Sequence, residues 1–82
     1  MDAIHEFQKL AFEEKLIQLA RAGSLVYTRY TSTHRHVYYV LENFFVEVEF
    51  HDAADPDRPV AIIAFKEGPK VQELLRMLET AP

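Results

Sequence analysis

From His36 to Phe50 the chain reads HVYYVLENFFVEVEF, β-branched, aromatic or alternating at nearly every position. A run of about 15 residues is more than twice the usual strand length, so it must be divided somewhere. Glu42-Asn43 is the only adjacent polar pair inside it. Asparagine tolerates the positive φ of a two-residue hairpin turn, which places the turn there; a single long bent strand is the alternative. Such a turn also decides which residues face each other, because side chains alternate with a period of two. Leu41 falls opposite Phe44, Tyr39 opposite Val46 and Val37 opposite Val48, which makes one face apolar throughout. The other face carries Val40 beside Phe45, Tyr38 beside Glu47 and His36 beside Glu49, with His34 and His51 near the open end.

The same period of two marks a first strand over Leu25 to Thr31, turning through Ser32, Thr33, His34 and Arg35, and a fourth over Val60 to Lys66. Strong helix formers run from Asp2, a natural N-cap, to Ala22, and Gly23 is placed to close that helix as a left-handed cap. Gly68-Pro69 opens a final helix, whose stripe is Val71, Leu74, Leu75 and Leu78 with Met77 at its edge. The expected fold is therefore one α+β domain over residues 1–82: an N-terminal helix, a four-stranded antiparallel meander with helices against one face, and a C-terminal helix.

The first helix does not present one stripe. Ile4, Phe7, Leu10 and Ala11 share a face, whereas Phe12, Leu16, Leu19 and Ala20 cluster well away from it, with Ile17 between. Either the helix is covered on two sides, which points to another subunit, or its first turns pack elsewhere than its last.

Composition removes several classes of function. The longest apolar run, Val60 to Phe65, is far short of the roughly 20 residues that span a bilayer, and the N-terminus lacks the basic start of a signal peptide. A cytoplasmic protein is expected. With no cysteine among 82 residues, thiolate zinc sites, thiol redox chemistry and cysteine nucleophiles are excluded, and apolar burial alone must hold the fold. No serine or threonine has the strand-turn-helix setting of a nucleophile elbow, and no glycine-rich phosphate loop exists. No catalysis and no cofactor are expected. Nine Lys and Arg against thirteen Asp and Glu give a net charge of −4, which disfavours non-specific attraction to nucleic acid.

Chemistry then rests on a few side chains. His34 and His36, two residues apart, would lie on one strand face roughly 6 to 7 Å from each other, a spacing that suits two ligands of one ion, with His51 or Glu49 as a third. Against this, His34 falls in the expected turn, where histidines beside arginine are an ordinary solvated composition. His36 beside Glu49 has the form of an oriented acid/base pair, and equally of a common cross-strand ion pair. Asp52, Asp55 and Asp57 fail the calcium-loop pattern, since the sixth and twelfth positions are Asp57 and Ile63. The adopted reading assigns no metal, and His34, His36 and His51 remain the ligands of the alternative.

The order of four strands followed by a helix, with four tyrosines and six phenylalanines in the chain, also supports a resemblance. Ser24 to Leu78 is similar in element order to the Whirly-type and related coactivator single-stranded-DNA-binding proteins. That likeness implies stacking by Tyr27, Tyr30 and Tyr38 with Arg29 as a cation, although Glu47 and Glu49 would repel phosphates there. The segment Phe44-Phe45-Val46-Glu47-Val48-Glu49-Phe50, the acidic proline loop, the Val60 to Phe65 strand and the leucine-rich last helix resemble small bacterial proteins of unknown role. This resemblance implies a cytoplasmic bacterial protein and carries over no site residue. The apolar surplus on the second sheet face is read as an interface: Phe45, Val40, Tyr38, Ile63 and Phe65, together with Phe12 and Leu16 of the first helix, in a self-associating homodimer. Single-stranded nucleic-acid binding and a histidine-centred metal site are the alternatives.

Overall fold

In a computed structural model, which describes residues 2–52 and 57–80, the chain forms seven elements. They are α1 (Ala3–Gln8), α2 (Phe12–Ala22), β1 (Ser24–Tyr30), β2 (His34–Leu41), β3 (Phe44–His51), β4 (Pro59–Phe65) and α3 (Pro69–Thr80). The strands make one antiparallel sheet in the order β1-β2-β3-β4. This is an α+β fold with a meander at its centre.

The Glu42-Asn43 turn is present and carries the register derived from it, from Leu41 opposite Phe44 to His34 opposite His51. Its positive φ falls on Glu42 (55°). The preceding turn is tighter than the sequence implied. Thr31 N–H donates to the His34 carbonyl at 2.9 Å and the Thr31 hydroxyl accepts from His34 N–H at 3.0 Å, so His34 and Arg35 already belong to β2. The short polar side chain of Thr31 bonds locally to the backbone and closes the turn two residues earlier.

The single N-terminal helix divides in two at Lys9 to Ala11. Asp2 caps α1 as expected, its carboxylate accepting from Ile4 N–H at 3.4 Å. Ala11 stands at the N-cap of α2 with no side-chain bond, a position where alanine forgoes about 1 kcal/mol relative to serine or aspartate. Packing therefore imposes the break: Ile4, Phe7 and Leu19 all reach the same core beside Leu41, Phe44, Val46 and Val48, and an unbroken helix would point its two stripes apart. Gly23 ends α2 in an extended conformation (φ −76°, ψ 144°), not the left-handed one expected. Glycine is needed there for closeness, because a Cβ would lie 2.8 Å from the Leu19 carbonyl oxygen.

The helices take both faces of the sheet instead of one. α1 and α2 cover the Val46 and Val48 face, while Leu74 of α3 is buried with Tyr38 and Phe65 on the opposite face, flanked by Val26, Phe45, Val71 and Met77. α3 thus seats on Val71, Leu74 and Met77, and the expected stripe is rotated so that Leu75 and Leu78 are exposed. Gly68, at φ 98°, makes the reversal from β4 that Pro69 then continues into the helix.

Replacing Gly23 by alanine should cost about 1–3 kcal/mol by forcing β1 away from α2. Urea unfolding of Gly23→Ala measures this, and a loss below about 0.5 kcal/mol would show that the junction relaxes without cost.

Candidate functional site

The face under α3 divides into an apolar half near the Glu42-Asn43 turn and a polar half toward the open end. Phe45 and Phe65 are neighbours across β3 and β4 with ring centroids 5.7 Å apart. One strand position further, Tyr38 pairs with Glu47 and Glu47 with Ile63; further still, His36 pairs with Glu49 and Glu49 with Ala61. His34 and His51 face each other at the end, their rings 4.3 Å apart and edge to face.

Glu47 is the centre of this half and the one buried charged residue among the described ones. An isolated carboxylate there would be costly, but both oxygens are bonded. Oε2 accepts from His36 Nδ1 at 2.7 Å and Oε1 accepts from the Lys70 ammonium, which reaches down from the first turn of α3. Burial pushes the Glu47 carboxyl up, and the hydrogen bonds from Lys70 and His36 outweigh it, leaving its pKa below the usual carboxylate range. The Tyr38 phenol beside it is raised, by burial first and the Glu47 charge second, while Arg29 opposes the shift. Arg29 in turn lies 3.8 Å from Glu73 of α3. The helix is therefore tied to the sheet by two charged contacts, Lys70 to Glu47 and Glu73 to Arg29.

Around this buried core of charge lies a more open ring. Glu49 places Oε1 at 3.9 Å from His36 Nδ1 and Oε2 at 3.5 Å from His34 Nε2. His34 Nδ1 is 2.7 Å from the Thr33 hydroxyl. The rings of His34 and His36 are 6.0 Å apart and nearly parallel, the separation expected for residues two apart on a strand. Donor atoms of His36, Glu47 and Glu49 all lie within 4.8 Å of one another.

Of the residues singled out from sequence, His34, His36 and His51 are brought to one face, and His36 meets Glu49 as its strand partner. Its short bond, however, goes to Glu47, two residues along the neighbouring strand. Glu47 and Lys70 were the residues missed. The register alone placed Glu47 next to His36's row, but nothing in the chain shows that a lysine 23 positions later would fold over it. The proposed interface fares differently at different residues. Tyr38 and Phe65 are buried under α3, and Phe45 is half-buried against Phe65, so these three serve the chain's own core. Tyr38 and Phe65 are unavailable to a partner or to stacked bases while α3 is docked. Val40 and Leu16 are half-buried, and Phe12 and Ile63 stay exposed. Asp55 of the acidic loop lies outside the described residues.

A separate cleft of about 470 Å³ opens between α1, α2 and the Glu42-Asn43 turn, over Phe7, Leu10, Leu41 and Phe44. Among the described residues its lining holds no histidine, and its only acids are the rim residues Glu6 and Glu42. No protein-family model, curated protein or solved structure matches the chain.

Because the Glu47 pKa is lowered in the folded state, its contribution to stability is complete above the unfolded glutamate value, about 4.3, and is lost as pH falls from there through the folded value. The stability difference between the native chain and Glu47→Gln should accordingly shrink below about pH 4.5. Denaturant unfolding across that range tests this, and a difference that grew on acidification would mean that the carboxyl is held protonated.

Proposed function

We propose that this protein is a non-enzymatic, cytoplasmic interaction module that self-associates as a homodimer through the outer edge of β4. The observation that carries the reading is the character of that edge. β4 is an outermost strand, PVAIIAF, with no charged side chain, and Val60 and Ile63 are 49% and 39% exposed. An edge strand offers a row of unpaired backbone donors and acceptors, and proteins that remain monomeric usually protect it with charge, proline or a bulge. β1, the opposite edge, has such protection: a bulge between Leu25 and Tyr27 interrupts it, and Arg29 lies within it. On β4 the corresponding irregularity and the proline are confined to its start, leaving Ala61 to Phe65 regular.

A second copy of the chain is the natural occupant. Two identical strands related by a twofold axis pair antiparallel and satisfy each other's backbone, and closed twofold pairs are the commonest assembly. The exposed Ile63 and Val60 would be covered by their counterparts, extending the sheet across both subunits.

Sedimentation equilibrium at about 50 µM should give close to twice the chain mass of 9.6 kDa. The pair Val60→Lys with Ile63→Lys should shift the species to monomer with an unchanged far-UV circular dichroism spectrum. Leu75→Lys, which alters an exposed apolar residue elsewhere, should leave the dimer intact. A wild-type monomer at that concentration overturns the reading, as does a dimer dissolved by Leu75→Lys and not by the strand variants.

A further inference from the structure

We infer that the open end of the α3-covered face is a binding site for one divalent transition-metal ion of the zinc class, with His36, Glu47 and Glu49 as ligands and His34 as the fourth. This goes beyond the dimer reading and is independent of it, since all four residues belong to one chain.

The argument begins with charge. Two carboxylates converge on a single imidazole nitrogen: Glu47 Oε2 is 2.7 Å and Glu49 Oε1 3.9 Å from His36 Nδ1. An ionised carboxylate only accepts, so the one proton on Nδ1 is all that lies between the two acids. Lys70 already balances one of these charges, and an ion at that point would take the place of the proton as the group shared by His36, Glu47 and Glu49. Lys70 does not compete for the position, because it bonds Glu47 Oε1 and leaves Oε2 facing the imidazole.

Spacing asks for small side-chain shifts. Ligand distances of about 2.0–2.2 Å in tetrahedral geometry put neighbouring donor atoms roughly 3.4 Å apart. The donor atoms of His36, Glu47 and Glu49 fit within 4.8 Å, and His34 Nε2 joins them at 3.5 Å from Glu49 Oε2. His36 Nδ1 and Glu47 Oε2, hydrogen-bonded at 2.7 Å, part to admit the ion. Two imidazoles with two carboxylates form a borderline nitrogen and oxygen set that suits zinc, and also cobalt or nickel, better than calcium or magnesium. The residues are also graded from interior to solvent: the side chain of Glu47 is 3% exposed, His36 12%, Glu49 28% and His34 29%. An ion would enter past His34 and Glu49 and meet the buried pair last. Supporting contacts are in place, since Thr33 bonds His34 Nδ1 and directs Nε2 toward Glu49.

Coordination at His36 Nδ1 requires the proton there to move to Nε2, so that the Nδ1 lone pair becomes the ligand and the ring stays neutral. The test uses the full chain stripped with chelator and titrated calorimetrically with zinc chloride at pH 7.5. The expected result is one ion per chain, and visible absorption of tetrahedral type with cobalt as the probe. Glu49→Gln and His34→Ala, both on the accessible side, should each weaken binding tenfold or more, whereas His5→Ala on α1 should not change it. Glu49→Gln keeps the size of the side chain, so its loss of affinity is readable even if His36→Ala fails to fold. The inference is overturned by absence of zinc heat and of any zinc-dependent rise in melting temperature at 50 µM protein, or by binding that survives in both Glu49→Gln and His34→Ala.

Discussion

The pairing of β2 with β3 governs nearly everything else in this molecule, and it depends on where one turn is made. With Glu42 and Asn43 at the tip, Val46 and Val48 face α1 and α2, and Glu47 and Glu49 face α3. A slip of one residue would exchange the two sets and put both acids among Ile4, Phe7 and Leu19. The cost of burying two carboxylates without cations on that side makes the alternative register untenable, so the charged residues of β3 specify the pairing as firmly as its apolar ones.

Once the register is set, the two faces demand different partners. The Val46 face is uniformly apolar and is satisfied by helices whose contact residues are Ile4, Phe7, Leu10 and Leu19. The Glu47 face needs both oil and charge, and α3 supplies both within two turns: Lys70 for Glu47, Glu73 for Arg29, and Val71 and Leu74 for Tyr38 and Phe65. The salt bridges of Glu73 to Arg29 and of Lys70 to Glu47 orient the helix, and Leu74, wholly removed from solvent, holds it. The rotation of α3 away from the stripe with the highest apolar content follows from this: presenting Lys70 and Glu73 to the sheet turns Leu75 and Leu78 outward.

This also explains what was legible in the chain and what was not. The hairpin, its eight cross-strand pairs, the proline start of α3 and the α+β class could be read because they depend on alternation and local turn chemistry. The histidines were correctly placed on one face for the same reason. The break at Lys9 to Ala11, the extended Gly23 and the side of the sheet taken by α3 depend on contacts between residues far apart in sequence, which no local pattern encodes. Glu47 was visible as a face residue beside Tyr38; its burial and its bond to Lys70 became visible only with the helix in place. The apolar surplus first read as an interface was, for Tyr38 and Phe65, the seat of that helix.

α3 follows all four strands along the chain, and the second sheet face depends on that one helix for its cover. With α3 undocked, Tyr38, Phe45 and Phe65 would form an open aromatic surface, and Glu47 would be hydrated and without its lysine. A chain in that state would carry one finished core and one bare sheet face open to wrong pairing. Docking of α3 converts that surface into interior.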